Sequence, residues 1–279
     1  SMQEWGDLKF KGDTVGDLVS EDVTFDMREG NIALRPLDFM DAKIGRQILT
    51  WGTGDLLFIN DLFPKDWPSF FIGRDVEYLK APSDAAKVSL FNDVINLDIV
   101  YTPKFDSDRY ISGRRISYFN SGLDRITGDD AVVNTDKPND WFGDDEIAWR
   151  LYRTLGAYEW AFYGYRGFWK SPAGQNLQGE AIFPDLNVYG GSLRGSLGKG
   201  IVNFEAGYYD SADDRDGDDP LVNNSELRLL LGYTQELAHD LTAGVQYYVE
   251  HMVNWDAYRQ TLPAGLNARD RNRHVVTLR

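Results

Sequence analysis

The chain has 279 residues, 29 basic against 44 acidic, for a formal charge of −15, and a phosphate-backbone binder is excluded because it needs a basic face. There is no cysteine, which removes disulfides, thiolate metal sites and a cysteine nucleophile. No apolar run approaches the roughly 18 residues of a membrane-spanning helix, yet 14% of residues are aromatic. That share suits either an aromatic-rich soluble β-domain or a transmembrane β-barrel with aromatic girdles and a polar interior.

Apolar residues recur at every second position, the period of a strand whose side chains alternate between faces. The pattern predicts strands over 7–18, 23–36, 41–52, 85–92, 94–104, 145–154, 157–169, 187–197, 200–210, 224–235, 240–252 and 272–279. In the tenth, Leu227, Leu229, Leu231 and Tyr233 share one face, opposite Glu226, Arg228, Gly232 and Thr234, with Leu230 as the misfit. In the eleventh, Leu241, Ala243, Val245, Tyr247 and Val249 oppose Thr242, Gly244, Gln246, Tyr248 and Glu250. Several strands have the roughly 9–11 residues that a tilted strand needs to cross a bilayer.

The links alternate in length. Short ones fall at Leu37-Asp38, Asn92-Asp93, Leu155-Gly156, Leu197-Gly198 and Ala238-His239, and long ones cover 53–84, 105–144, 170–186, 211–223 and 253–271. Only the hairpin at Ser20-Glu21-Asp22 is short on the long side. Tight turns at one rim and long loops at the other are the layout of an outer-membrane barrel. The expected fold is therefore all-β, an antiparallel transmembrane β-barrel of at least 12 strands, one domain over 1–279. The last strand, His274 to Arg279, lacks a terminal aromatic. This points to a chain that stops part-way through a longer barrel of about 14–18 strands, within the range such barrels span.

With the apolar face toward lipid, the opposite face lines the interior. Arg28, Lys43, Arg46, Asp98, Arg150, Glu159, Arg194, Glu205, Glu226, Arg228 and Glu250 are the expected pore-lining charges. The parity slips at Glu29-Gly30, as a bulge would make it. Unpaired ions in a dry interior would cost several kcal/mol each, so the interior is either water-filled or plugged by its own ion pairs.

The 53–84 loop carries Leu56, Leu57, Phe58, Ile59, Leu62, Phe63, Trp67, Phe70, Phe71 and Ile72, far too apolar for a solvated loop. It is expected to fold inward as a constriction, or to pack over the mouth as a lid. As a constriction it would turn Asp61, Lys65, Asp66, Trp67 and Arg74 inward, with its charges facing the arginines of the wall. Among the acidic loops, Asp214, Asp216 and Asp218 alternate around Gly217. They loosely resemble a calcium loop, since hard cations take several oxygen ligands, but the distal Glu of an EF-hand is missing.

The run Lys43-Ile44-Gly45-Arg46-Gln47-Ile48-Leu49-Thr50-Trp51-Gly52 leads into Ile59-Asn60-Asp61-Leu62-Phe63-Pro64-Lys65-Asp66. Later come Leu97 to Phe105, Ala148 to Gly156 and a strand ending Tyr163-Gly164-Tyr165-Arg166-Gly167. This order resembles porin-like outer-membrane barrel proteins of Gram-negative bacteria, broadly the alginate-export and related porin-like group. The resemblance implies a monomeric or weakly oligomeric outer-membrane channel and names no substrate.

For the three histidines, His239, His251 and His274, a Ser/His dyad or an Asp/His pair is a matter of geometry across strands, so surface histidine is the default reading, and no GxSxG or HExxH is present. The sequence thus leads to a porin that passes small polar or charged solutes, with no catalytic residues and no enzymatic step. Its expected partners are outer-membrane lipid and lipopolysaccharide, not nucleic acid. No cofactor is expected: the acidic loop reads first as a solvated one, with a calcium ion there as the alternative. The competing classes are a lipase- or protease-like barrel enzyme and a soluble acidic β-domain that binds a ligand.

Overall fold

The computed structural model describes residues 6–19, 21–54, 56–120, 122–264 and 268–279; Ser20 of the first expected hairpin falls outside them. The twelve principal strands are β1 (Gly6–Asp17), β2 (Asp22–Leu37), β3 (Met40–Ile48), β4 (Pro82–Leu90), β5 (Asn96–Thr102) and β6 (Glu146–Leu155). They continue with β7 (Tyr158–Phe168), β8 (Asp185–Leu197), β9 (Gly200–Ser211), β10 (Glu226–Ala238), β11 (Leu241–Met252) and β12 (Asn272–Leu278). Each expected strand is present, most within a residue or two of its expected ends. The β3 strand stops at Ile48 because the chain turns inward there, burying Leu49 and Trp51.

Every strand pairs antiparallel with its neighbour in sequence, giving one 12-stranded meander. The sheet is open. Its edges, β1 and β12, do not pair with each other, whereas a barrel closes only when first and last strands share a register. The closed barrel expected from the sequence is therefore not seen among the described residues.

Side chains alternate across the sheet as the period requires. On β10, Leu227, Leu229 and Leu231 are exposed on the outer face, while Glu226 and Leu230 are buried on the inner one. Leu230, the misfit of the pattern, is an inward core residue. Leu8, Phe10, Phe25, Ile32, Phe162 and Tyr247 extend the exposed outer face. The core lies inside, where Ile59, Phe63, Tyr163, Val188, Tyr209, Leu230 and Tyr248 pack together.

The expected bulge is present. Lys11 pairs with Glu29 and Gly12 with Met27, so Arg28 is the extra residue. Arg28 and Glu29 are consequently both buried and consecutive. The five short turns fall where expected, with Gly156, Gly198 and Asp240 at positive φ, the conformation that tight hairpins demand.

Candidate functional site

Between β3 and β4 the chain does not cap the rim; it runs against the inner face. It includes a short helix, α1 (Trp67–Phe71), whose first turn is capped by Asp66 accepting from the Ser69 N–H at 2.8 Å. The deepest contact is to the middle of β8 and β9. Glu205, 1% exposed, accepts from the Gly54 N–H at 2.9 Å, the Thr53 hydroxyl at 2.9 Å, the Asn60 N–H at 3.1 Å and the Asn60 amide at 3.0 Å. The Thr53 N–H also donates to it. Tyr209 donates to the Ile59 carbonyl at 2.5 Å. Gly190 lets this approach occur, because a Cβ there would lie 1.9 Å from Asn60 Oδ1 and 2.7 Å from the Ala206 carbonyl.

A second inward segment locks the first. Asp108 accepts from the Lys65 N–H at 2.8 Å and from the Trp67 indole at 3.1 Å. Arg109 bridges Asp66 at 3.0 Å and Asp26 of β2 at 2.7 Å. The flanking carboxylates hold the Arg109 guanidinium protonated even more firmly than usual, its bond to Asp26 outweighing burial.

The loop charges expected to face wall arginines pair locally instead. Asp61 takes Lys65 at 3.1 Å and the Thr50 hydroxyl at 2.8 Å, and Asp66 takes Arg109. Arg74 donates to the Ser69 hydroxyl at 3.2 Å and lies 3.7 Å over the Tyr78 ring. Asp61, Lys65 and Arg74 thus find partners within the segment, because a chain folded through the interior meets its own neighbours before the wall, and Asp66 joins Arg109 of the second loop. Trp67 reaches Asp108 of the second loop.

Most of the wall charges face inward and are already paired. Lys43 pairs with Glu29 at 3.7 Å, Asp98 with Lys87 at 3.4 Å, and Arg150 with Glu159 at 2.6 Å. Arg228 takes Glu226 at 2.6 Å and Glu250 at 3.8 Å, and its guanidinium lies 3.9 Å over the Tyr209 ring. Arg28 donates to the Glu77 and Lys80 carbonyls. Arg194 stands opposite Glu159 in the β7–β8 register and is exposed near the short-turn rim. Arg46 departs from this set. It keeps the parity of exposed Ile44 and pairs with exposed Asp84 at 3.0 Å.

The three aspartates of the acidic loop do not assemble, and no cluster of metal-binding groups exists among the described residues. Asp214 is buried and accepts from the Asp218 and Asp219 N–H groups at 2.9 and 3.1 Å, while Asp216 and Asp218 are exposed. Burial, the largest influence, pushes the Asp214 carboxyl above its ordinary value, against those two donors.

Two cavities flank the inward segment. One, about 400 Å³, opens among Ser171, Asn223 and Arg273 at the long-loop rim. The other, about 490 Å³, includes Arg194 and Arg279 toward the short-turn rim. Leu56, Phe58 and Asp61 border both. Asn60, Asp108, Arg109 and Lys170 were not singled out from sequence; the only signal was glycine pairs such as Gly52 and Gly54, whose bare backbone suits a close-lying carboxylate.

No family model matches the chain, and no curated protein matches it. Among solved structures it is similar to OmpT, an outer membrane protein of Vibrio cholerae, in three forms. The loop L8 deletion mutant is 13% identical with a TM-score of 0.49, covering 90% of this chain and 70% of that one. In-vitro folded OmpT is 13% identical with a TM-score of 0.47, covering 90% and 65%. Outer-membrane expressed OmpT is 13% identical with a TM-score of 0.44, covering 81% and 60%. The chain thus spans between three fifths and seven tenths of these neighbours. All three belong to the bacterial outer membrane, the compartment expected from the strand pattern, and none bears on an alginate-export relationship. The expectation of no enzymatic step is withdrawn, because the absence of a familiar motif excludes no activity.

Proposed function

We propose that the chain forms the wall of an outer-membrane channel in which the inward segment 49–81 narrows a passage for small polar solutes. The observation that carries this reading is the septum. A single stretch, Leu56 to Asp61, separates two cavities that open toward opposite rims. The outer face supports the setting, because each exposed Leu or Phe forgoes about 1.5–3 kcal/mol of burial in water and recovers it against lipid.

The charges of the inner face act by occupation rather than by field. Most are neutralised in place, so the passage presents alternating donors and acceptors with little net charge. The width is set by how firmly Glu205 and Asn60 hold the segment against β8 and β9. Deleting 56–72 removes the septum, and the single-channel conductance in a planar bilayer is expected to rise severalfold. An unchanged conductance would remove the constriction from the account.

A further inference from the structure

We infer that the cavity on the long-loop side is a binding site for a neutral polyhydroxylated ring, the chemistry of a small carbohydrate. This rests on the inner face being a water-filled passage. The cavity of about 400 Å³ falls in the range of small-molecule sites, roughly 300–1,000 Å³. Its walls are aromatic, with Phe58, Trp67, Trp169, Tyr209 and Tyr248 around it, flat surfaces suited to the C–H faces of a pyranose.

Charge decides the ligand class. Lys65, Lys170, Arg228 and Arg273 border the cavity, and each has a carboxylate in place: Asp61 at 3.1 Å, Glu146 at 2.5 Å, Glu226 at 2.6 Å and Glu250 at 3.8 Å respectively. The Asp108 carboxylate is bonded to Lys65 N–H, Trp67 and Ser171. An anion would have to displace an internal carboxylate from its cation, and a cation would have to displace an arginine or lysine. At Lys65, Lys170 and Arg228 either exchange leaves a buried charge without its partner, the costly outcome for an ion pair, whereas Arg273 is exposed at the mouth. Hydroxyl groups both donate and accept, so they bond to the free lone pairs and N–H groups of these pairs without breaking them.

The test is a tryptophan-fluorescence titration of the detergent-solubilised full chain with D-glucose, lactose, D-glucuronate and D-glucosamine. Glucose and lactose are expected to give saturable changes, with glucuronate and glucosamine at least fivefold weaker. Tyr248→Ala is expected to weaken lactose binding about tenfold, and Phe58→Leu serves the same purpose if that variant does not fold. A flat response to both sugars, or glucuronate binding more tightly than glucose, would overturn the inference. Planar-bilayer currents are recorded in parallel. Currents with no sugar response reject the site and leave the channel standing, whereas a saturable sugar response without currents supports the site and rejects the channel.

Discussion

Glu205 is the residue on which the inner architecture turns. Its charge is met by N–H and O–H donors of residues 53–60, some 145–152 positions away in sequence. Hydrogen bonds to a charged group contribute about 1.5–3 kcal/mol. Glu205→Gln is therefore expected to loosen the segment by about that much, measured as faster proteolysis within 53–60 at unchanged strand content. Asp214 gives a second prediction. Its carboxyl is raised by burial, so the folded loop holds a proton to higher pH than the unfolded chain does. Its contribution to stability is fully present below the ordinary carboxylate value of 3.8 and is lost as pH rises through the raised value. The protection factors of the amides across 212–219, which remove the intrinsic pH dependence of exchange, should accordingly fall as pH rises above the ordinary carboxylate value. Asp214→Asn keeps the acceptor for the Asp218 and Asp219 N–H groups and should flatten that pH dependence.

At the level of elements, the strands were legible because two-residue periodicity is a local property. The bulge at Arg28 was legible too, as a parity slip across Glu29-Gly30. The inward course of 49–81 could be read from its apolar content, since a loop carrying Phe58, Ile59, Phe63 and Phe70 must bury them. Its partners could not. The Glu205 cradle, the Asp108 contacts and the Arg109 bridge join segments far apart in sequence, and nothing in local composition ranks one distant acid over another. Arg46 was misplaced against its own strand's parity: with Lys43 and Gln47 facing inward, two-residue alternation sets Arg46 beside Ile44 on the outer face. The calcium reading fell to the same limit, because Asp214 is taken up by turn N–H groups that sequence spacing does not reveal.

For the whole molecule, the sheet divides into an apolar outer face and an inner face of paired charges, and each face makes its own demand on mutation. Leu231 is exposed at mid-strand on β10. Leu231→Arg should cost about 2–4 kcal/mol of folding stability in lipid bilayers, the range for a cation near the midplane, as read from urea titrations in vesicles. The passage itself is tested most directly by single-channel current through the full chain beside its 56–72 deletion, in one planar bilayer composition. The account predicts discrete steps for both, with severalfold larger conductance once the septum between the two cavities is gone. Equal conductance from the two proteins would contradict it.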